Sequence, residues 1–194
     1  MMYTVYTDGA CTGNKNKDKT KTNAGYGVYF ETPIMVNGRK IHKISGPVDS
    51  KKYKPSNSSG EIMGMLRALD VFCDHVKELD EEAELPSITI LCDNQYCVNT
   101  FNIWLAGWKA KKETKAQMDL WNLVWEHILY LRKRYGSFYT ERVIVKWVRG
   151  HNGTEGNEIA DQLATQGVWL AKERRTILKK KVKAKSPTTT DEAP

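Results

Sequence analysis

Apolar residues recur along this chain with two different periods. From Glu61 onward, Ile62, Met65, Leu66, Leu69, Phe72, Cys73 and Val76 return every three or four positions, the spacing that places them on one face of a helix. A second such stripe, Trp121, Val124, Trp125, Ile128 and Leu131, predicts a long amphipathic helix over Met118–Arg134. Elsewhere the helical period gives way to short runs rich in β-branched and aromatic residues. Tyr3–Thr7, Tyr26–Glu31, Lys40–Ser45, Ser87–Cys92 and Val143–Val148 read as strands, the first three separated by Gly, Asn and Pro signals. A further helix is expected from about Gln95, and a last one from Glu158 to about Arg174. Clustered strands followed by alternating helices and strands predict an α/β fold, a mixed sheet with helices packed on its faces.

Composition sharpens this in one respect. The 194 residues suit a single domain with a sizeable core, and six tryptophans argue against wholesale disorder. The formal charge of +7 is unevenly spread: Lys172–Lys185 holds eight basic residues and one acid, and the remainder has 22 of each. Residues 1–171 are therefore expected to form the domain, and 172–194 a basic, disordered tail. The four cysteines show neither C-x-x-C spacing nor a disulfide-rich context, which reads as reduced thiols. With no secretory pattern at the N-terminus and no apolar run near the ~20 residues of a membrane span, a cytoplasmic protein without membrane contact is expected.

The chemistry concentrates in acids at element ends. Asp8 is expected to end the first strand and Asp93 the fourth, so parallel neighbours would send both into one crevice. Taken singly, each also fits turn or helix-cap chemistry. Glu61 opens the first long helix, where Ser58-x-x-Glu61 also fits a capping box. Asp161 borders the stripe formed by Ile159, Ala160, Leu163 and Ala164 near the start of the last helix. Four uncompensated carboxylates in one place favour hard divalent cations, Mg²⁺ or Mn²⁺ over zinc. Two such ions suit phosphodiester hydrolysis. His151, set among Gly150, Gly153 and Gly156, fits a side chain that moves while carrying a proton.

The stretches TDGACTGN, SNSSGEIMG, LCDNQYCV and WVRGHNGTEGNEIADQLA together resemble the type 1 ribonuclease H family, in the family's order, from about Tyr3 to Ala171. The resemblance implies a five-stranded mixed sheet flanked by helices and metal-dependent endonucleolytic cleavage of RNA in RNA/DNA hybrids. Asp8, Glu61, Asp93 and Asp161 match its metal-binding acids, which hold two Mg²⁺ ions with substrate, Mn²⁺ substituting. His151 matches its mobile catalytic histidine.

Hybrid contacts follow from the same resemblance. Asn14, Asn57 and Gln95 match residues facing the minor groove, where amides reach base edges and the 2′-OH. Ser58 stands where an amide is more usual, and Ser56 matches a hydroxyl in a DNA-phosphate pocket. Trp104 matches an aromatic of the DNA-strand channel. With Trp108, Lys109, Lys111 and Lys112 it belongs to a stretch similar to the family's basic protrusion. A monomer is expected. Two features depart from the family pattern: the Lys-rich loop Lys15–Thr22 and the basic tail, which add either affinity for nucleic acid or solubility. Two rivals stand beside this reading. A 3′–5′ exonuclease of related fold usually carries Asp-x-Glu, where this chain has Asp8-Gly9-Ala10. A catalytically silent nucleic-acid-binding module would have little reason to keep four acids and a histidine.

Overall fold

In the computed structural model, residues 1–13, 22–150 and 153–185 are described, with side chains to residue 178. Five strands, β1 (Met2–Thr12), β2 (Asn23–Val36), β3 (Arg39–Pro47), β4 (Ser87–Cys92) and β5 (Val143–Trp147), form one sheet in the order β3-β2-β1-β4-β5. β1 runs antiparallel to β2 and parallel to β4, and β5 is parallel to β4. The expected mixed sheet is thus present, with longer hairpin strands than the hydropathy pattern indicates. Asn37 and Gly38, at φ 49° and 69°, turn β2 into β3. Both lie in the left-handed region that a tight hairpin turn requires.

Helices cover both faces. α1 (Asn57–Lys77) and α4 (Met118–Tyr135) pack together, and α6 (Glu155–Lys185) lies across β1, β2 and β3. All seven residues of the α1 stripe are buried, as are Trp121, Val124, Ile128 and Leu131 of α4, while Trp125 is partly exposed. The single helix expected from Gln95 is instead broken: α2 (Gln95–Asn99) passes through a π-helical turn at Thr100–Trp104 into α3 (Leu105–Ala110). A short helix, α5 (Tyr139–Arg142), leads into β5.

Glycine sets how closely helices meet the sheet. A Cβ at Gly9 would lie 2.1 Å from the Glu61 nitrogen, so α1 touches β1 backbone to backbone at that level. On α6, the Ala160 carbonyl would sit 2.1 Å from a Cβ at Gly27. Close approach of α1 and α6 at one level of β1 and β2 brings helix side chains over the strand ends.

The last helix differs from expectation at both ends. It begins three residues early, at Glu155, and its backbone continues past Arg174 to Lys185 without a break at residue 171. The polar segment 186–194, expected to be disordered, lies outside the described residues. So do His151, Asn14 and the loop from Lys15 to Lys21. No helix among the described residues is long and apolar enough to cross a membrane.

Candidate active site

Strand register brings the acids together. Thr7 pairs with Cys92 as the last parallel β1–β4 pair, so Asp8 and Asp93 follow side by side on adjacent strands. Asp8 does not end β1, contrary to the sequence reading. The strand continues to Thr12 paired with β2 alone. The crevice opens because β4 stops while β1 goes on. α1 then places Glu61 above this point through the Gly9 contact, and α6 places Asp161 beside it. Oxygen atoms of Asp8, Glu61 and Asp93 all lie within 4.8 Å of one another. Asp161 lines the same cleft, of about 450 Å³, and its charge adds to those that raise the Asp8 carboxyl.

The capping role weighed for Glu61 falls to other residues. Ser56 is the N-cap of α1, its hydroxyl accepting from the Ser59 N–H at 3.0 Å while the Ser59 hydroxyl accepts from the Ser56 N–H at 2.8 Å. That reciprocal pair satisfies the helix end and leaves Glu61 to the cleft. There it accepts a 3.5 Å bond from the Asn57 amide and lies 3.9 Å from the Cys92 thiol.

The electrostatics are unfavourable to carboxylates by themselves. Asp8 is 6% exposed and Glu61 4%. Burial, then the nearby Asp93 charge, pushes the Asp8 carboxyl up to about 8, against the stabilising 2.7 Å bond from the Gly9 N–H. Burial also holds Glu61 well above the usual carboxylate range, with the Cys92, Asp8 and Asp93 groups adding to it. Among the described residues, none of these acids has an ion-pair partner. Three converging oxygen donors without a protein cation form a set that fits a hard divalent ion.

Several residues support these acids, and Trp147 among them was not singled out from sequence. Trp147, the last residue of β5, donates its indole N–H to the Asp93 carbonyl at 2.9 Å, and the Val148 N–H reaches the Cys92 carbonyl at 3.0 Å. Gly150 was read as a source of loop mobility. Its geometry gives another reason: a Cβ there would fall 2.3 Å from the Asp93 Oδ2. Asn94 caps α2, accepting from the Cys97 N–H at 3.1 Å. The parallel β4–β5 register, which pairs Cys92 with Trp147, is the signal behind Trp147; the sequence shows the two strands but not their pairing.

The expected substrate residues fall into two groups. Asn57 lines the acid cleft, and exposed Gln95 lies two residues beyond Asp93, its amide bonded to Asn99 at 2.9 Å. Ser56 and Ser58 line a separate cleft with Lys54, Ala116, Gln117 and Asp119. There Gln117 Nε2 donates to the Ser56 hydroxyl at 3.1 Å. Trp104 and Trp108 stack with centroids 6.1 Å apart, and Tyr96, missed from sequence, extends the aromatic surface at 6.0 Å from Trp104. Lys109 bonds Asn122 at 2.9 Å, while Lys111 and Lys112 are exposed.

Comparison with known proteins agrees with this architecture. The RNase H family profile matches residues 1–169. A Ribonuclease H of Albidiferax ferrireducens is 31% identical over 177 residues, spanning 88% of this chain and 97% of that protein. A Ribonuclease H of Pseudomonas fluorescens is 31% identical over 170 residues, 84% of this chain and 90% of its own. Among solved structures, LC9-RNase H1, a type 1 RNase H with the type 2 active-site motif, is similar with a TM-score of 0.60 at 20% identity. That alignment covers 88% of this chain and 73% of the other, a likeness of fold.

Proposed function

Because the chain belongs to the RNase H family, and is an enzyme of that kind, we propose that it hydrolyses the RNA strand of RNA/DNA hybrids endonucleolytically, with two divalent ions. The observation that carries this reading is the triplet of oxygens from buried Asp8 and Glu61 and partly exposed Asp93, all within 4.8 Å, with no cationic partner among the described residues. Asp8, Glu61, Asp93 and Asp161 would hold the ions, Mg²⁺ in the cell and Mn²⁺ as a substitute. When bound, such ions activate the attacking water and stabilise the leaving oxygen.

The chain's own residues then have separate tasks. The four acids fix the site. The Trp147 N–H and the Val148 backbone hold the end of β4 so that the Asp93 carboxylate keeps its direction. His151, three residues beyond Val148, carries a proton to or from the reacting oxygens. Asn14, Asn57, Ser58 and Gln95 face the minor groove, where the 2′-OH distinguishes the RNA strand. Ser56 lies where a DNA phosphate is taken up. Trp104, Trp108, Lys109, Lys111 and Lys112 guide the DNA strand by stacking and charge. The protein acts as a cytoplasmic monomer, with residues 1–171 as its catalytic domain.

A gel assay of one labelled RNA, supplied alone, in RNA/RNA and in RNA/DNA, tests this. Cleavage confined to the hybrid and dependent on Mg²⁺ is expected. Hybrid binding without cleavage would mark a silent module. Stepwise shortening from a 3′ end would mark an exonuclease.

A further inference from the structure

The family profile ends at residue 169, yet α6 runs on to Lys185, and residues 172–185 hold the chain's whole net positive charge. Contacts fix where this extension goes. Ala160 lies against Gly27, the partner of Asp8, and Val168 against Gly25, the partner of Ala10. Further along, Arg175 Nη2 donates to the Thr22 carbonyl at 2.7 Å, next to Asn23, the partner of Thr12. α6 therefore travels with β1 from the level of the acids outward, and its end projects on the side where β1 overruns β4. The extension is also seated: Ala171, Arg174, Arg175 and Leu178 line a small cleft with Pro47 and Val48. The Trp104–Lys115 stretch is held elsewhere, where Lys109 bonds Asn122 of α4 at 2.9 Å. Two basic segments are thus carried separately, one against α4 and one on the helix over β2 and β3.

We propose that residues 172–185 of α6 form a second backbone-binding arm, which takes the sugar-phosphate backbone of the duplex flanking the segment held at the acids. The idea rests on the hybrid reading above. Charge complementarity and continuity with the cleft select a polyanion as the occupant. Fourteen helical residues extend about 21 Å, the length of about six base-pair steps at ~3.4 Å each. Lysine contacts of this kind neutralise phosphates without reading bases. An anchored arm differs from a loose tail in one testable respect: it engages only duplexes long enough to reach it.

The test uses the full chain with Lys179, Lys180, Lys181, Lys183 and Lys185 all replaced by Gln, a substitution that keeps helix propensity and leaves Arg175 and Leu178 in place. Binding is measured in EDTA across a salt series, with hybrids of about 12 and about 30 base pairs. The long hybrid should bind at least about tenfold more weakly at low salt, with the log–log salt slope flattened by about 2–4. The short hybrid should change less than about twofold, and the melting temperature should stay constant. An unchanged slope, equal losses on both hybrids, or a loss that follows a lowered melting temperature overturns the arm. Cleavage by the unaltered chain in Mg²⁺ is scored separately. Uncut hybrid with the length-dependent slope intact would sink the functional reading and leave the arm standing.

Discussion

Helix α1 carries two acids in opposite surroundings. Asp70, in its middle, is gripped by Arg67 Nη1 at 2.6 Å and by His127 Nε2 of α4 at 2.5 Å. Glu61, nine residues earlier, meets an amide, a thiol and two further carboxylates, with no cation among the described residues. The first arrangement ties α1 to α4. The second opposes the fold: burial and like charges raise the Asp8 and Glu61 carboxyls, so their ionised forms are unstable in the folded chain until a cation arrives. Acids of nearly identical chemistry therefore serve structure or function according to whether the protein supplies its own counter-charge.

The largest expected effect removes one charge from the uncompensated group. Asp93→Asn keeps the side chain's shape and the Trp147 bond to its carbonyl while deleting an ionic ligand. Hybrid cleavage should fall to background with the fold retained by circular dichroism. Turnover like that of the unaltered chain would mean that this triplet does not hold the metal.

His151→Ala should act less severely. A positioned proton carrier contributes about 10²–10⁴-fold, and water can take over part of its task, so kcat should drop by that order while hybrid affinity stays near its original value. Inactivity equal to that of Asp93→Asn, or lost binding with kcat preserved, would remove the histidine from proton transfer.

What could be read in the sequence follows the same division. The α1 and α4 stripes were legible because burial on one face imposes a period. The four acids were legible because each lies in a short motif that resembles the family's, although Asp8, Glu61 and Asp161 sit inside their elements and not at the ends. Their convergence was not, since it depends on the Thr7–Cys92 register and on the Gly9 contact with α1, neither of which leaves a periodic trace. Ser58-x-x-Glu61 and Ser56-x-x-Ser59 both fit a serine cap by spacing, and only the fold shows which pair closes. The Asp70–His127 link joins residues 57 positions apart and sits beside apolar stripes, where its polarity looks like an ordinary helix border. The continuation of α6 was hidden for another reason: charge density reads as a tail unless something holds the helix, and Arg175 finds its partner 153 residues away.

Stability gives a smaller and opposite pair of effects. The Asp8 carboxyl is raised from 3.8 to about 8 in the fold. Between those values the folded chain binds a proton that the unfolded chain has lost, so the metal-free protein should lose stability as pH rises from about 4 to about 8. Asp8→Asn removes that contribution. In EDTA at pH 8 the variant should melt several degrees above the unaltered chain, and the gap should close towards pH 4. Added Mg²⁺ should raise the melting temperature of the unaltered chain and barely move the variant. A variant that melts lower at pH 8 would show that the Asp8 charge is compensated after all.

The same substitution at Asp70 should have the reverse sign. Asn can still accept one bond, but it carries no charge for Arg67 or His127. Arg67 Nε is already buried without a hydrogen-bond partner, so weakening its bond to Asp70 leaves the guanidinium poorly satisfied. The Asp70 side chain is 26% exposed, which keeps the loss near the upper end of surface pairs, about 1 kcal/mol. For a chain of this size that corresponds to roughly 2–4 °C in melting temperature. The shift should be independent of Mg²⁺, and kcat on the hybrid should be unchanged, because Asp70 lies well outside the acid cleft. If Asp70→Asn proved neutral or stabilising, the α1–α4 link would carry no net stability, and the contrast between the two acids would rest on the cleft alone.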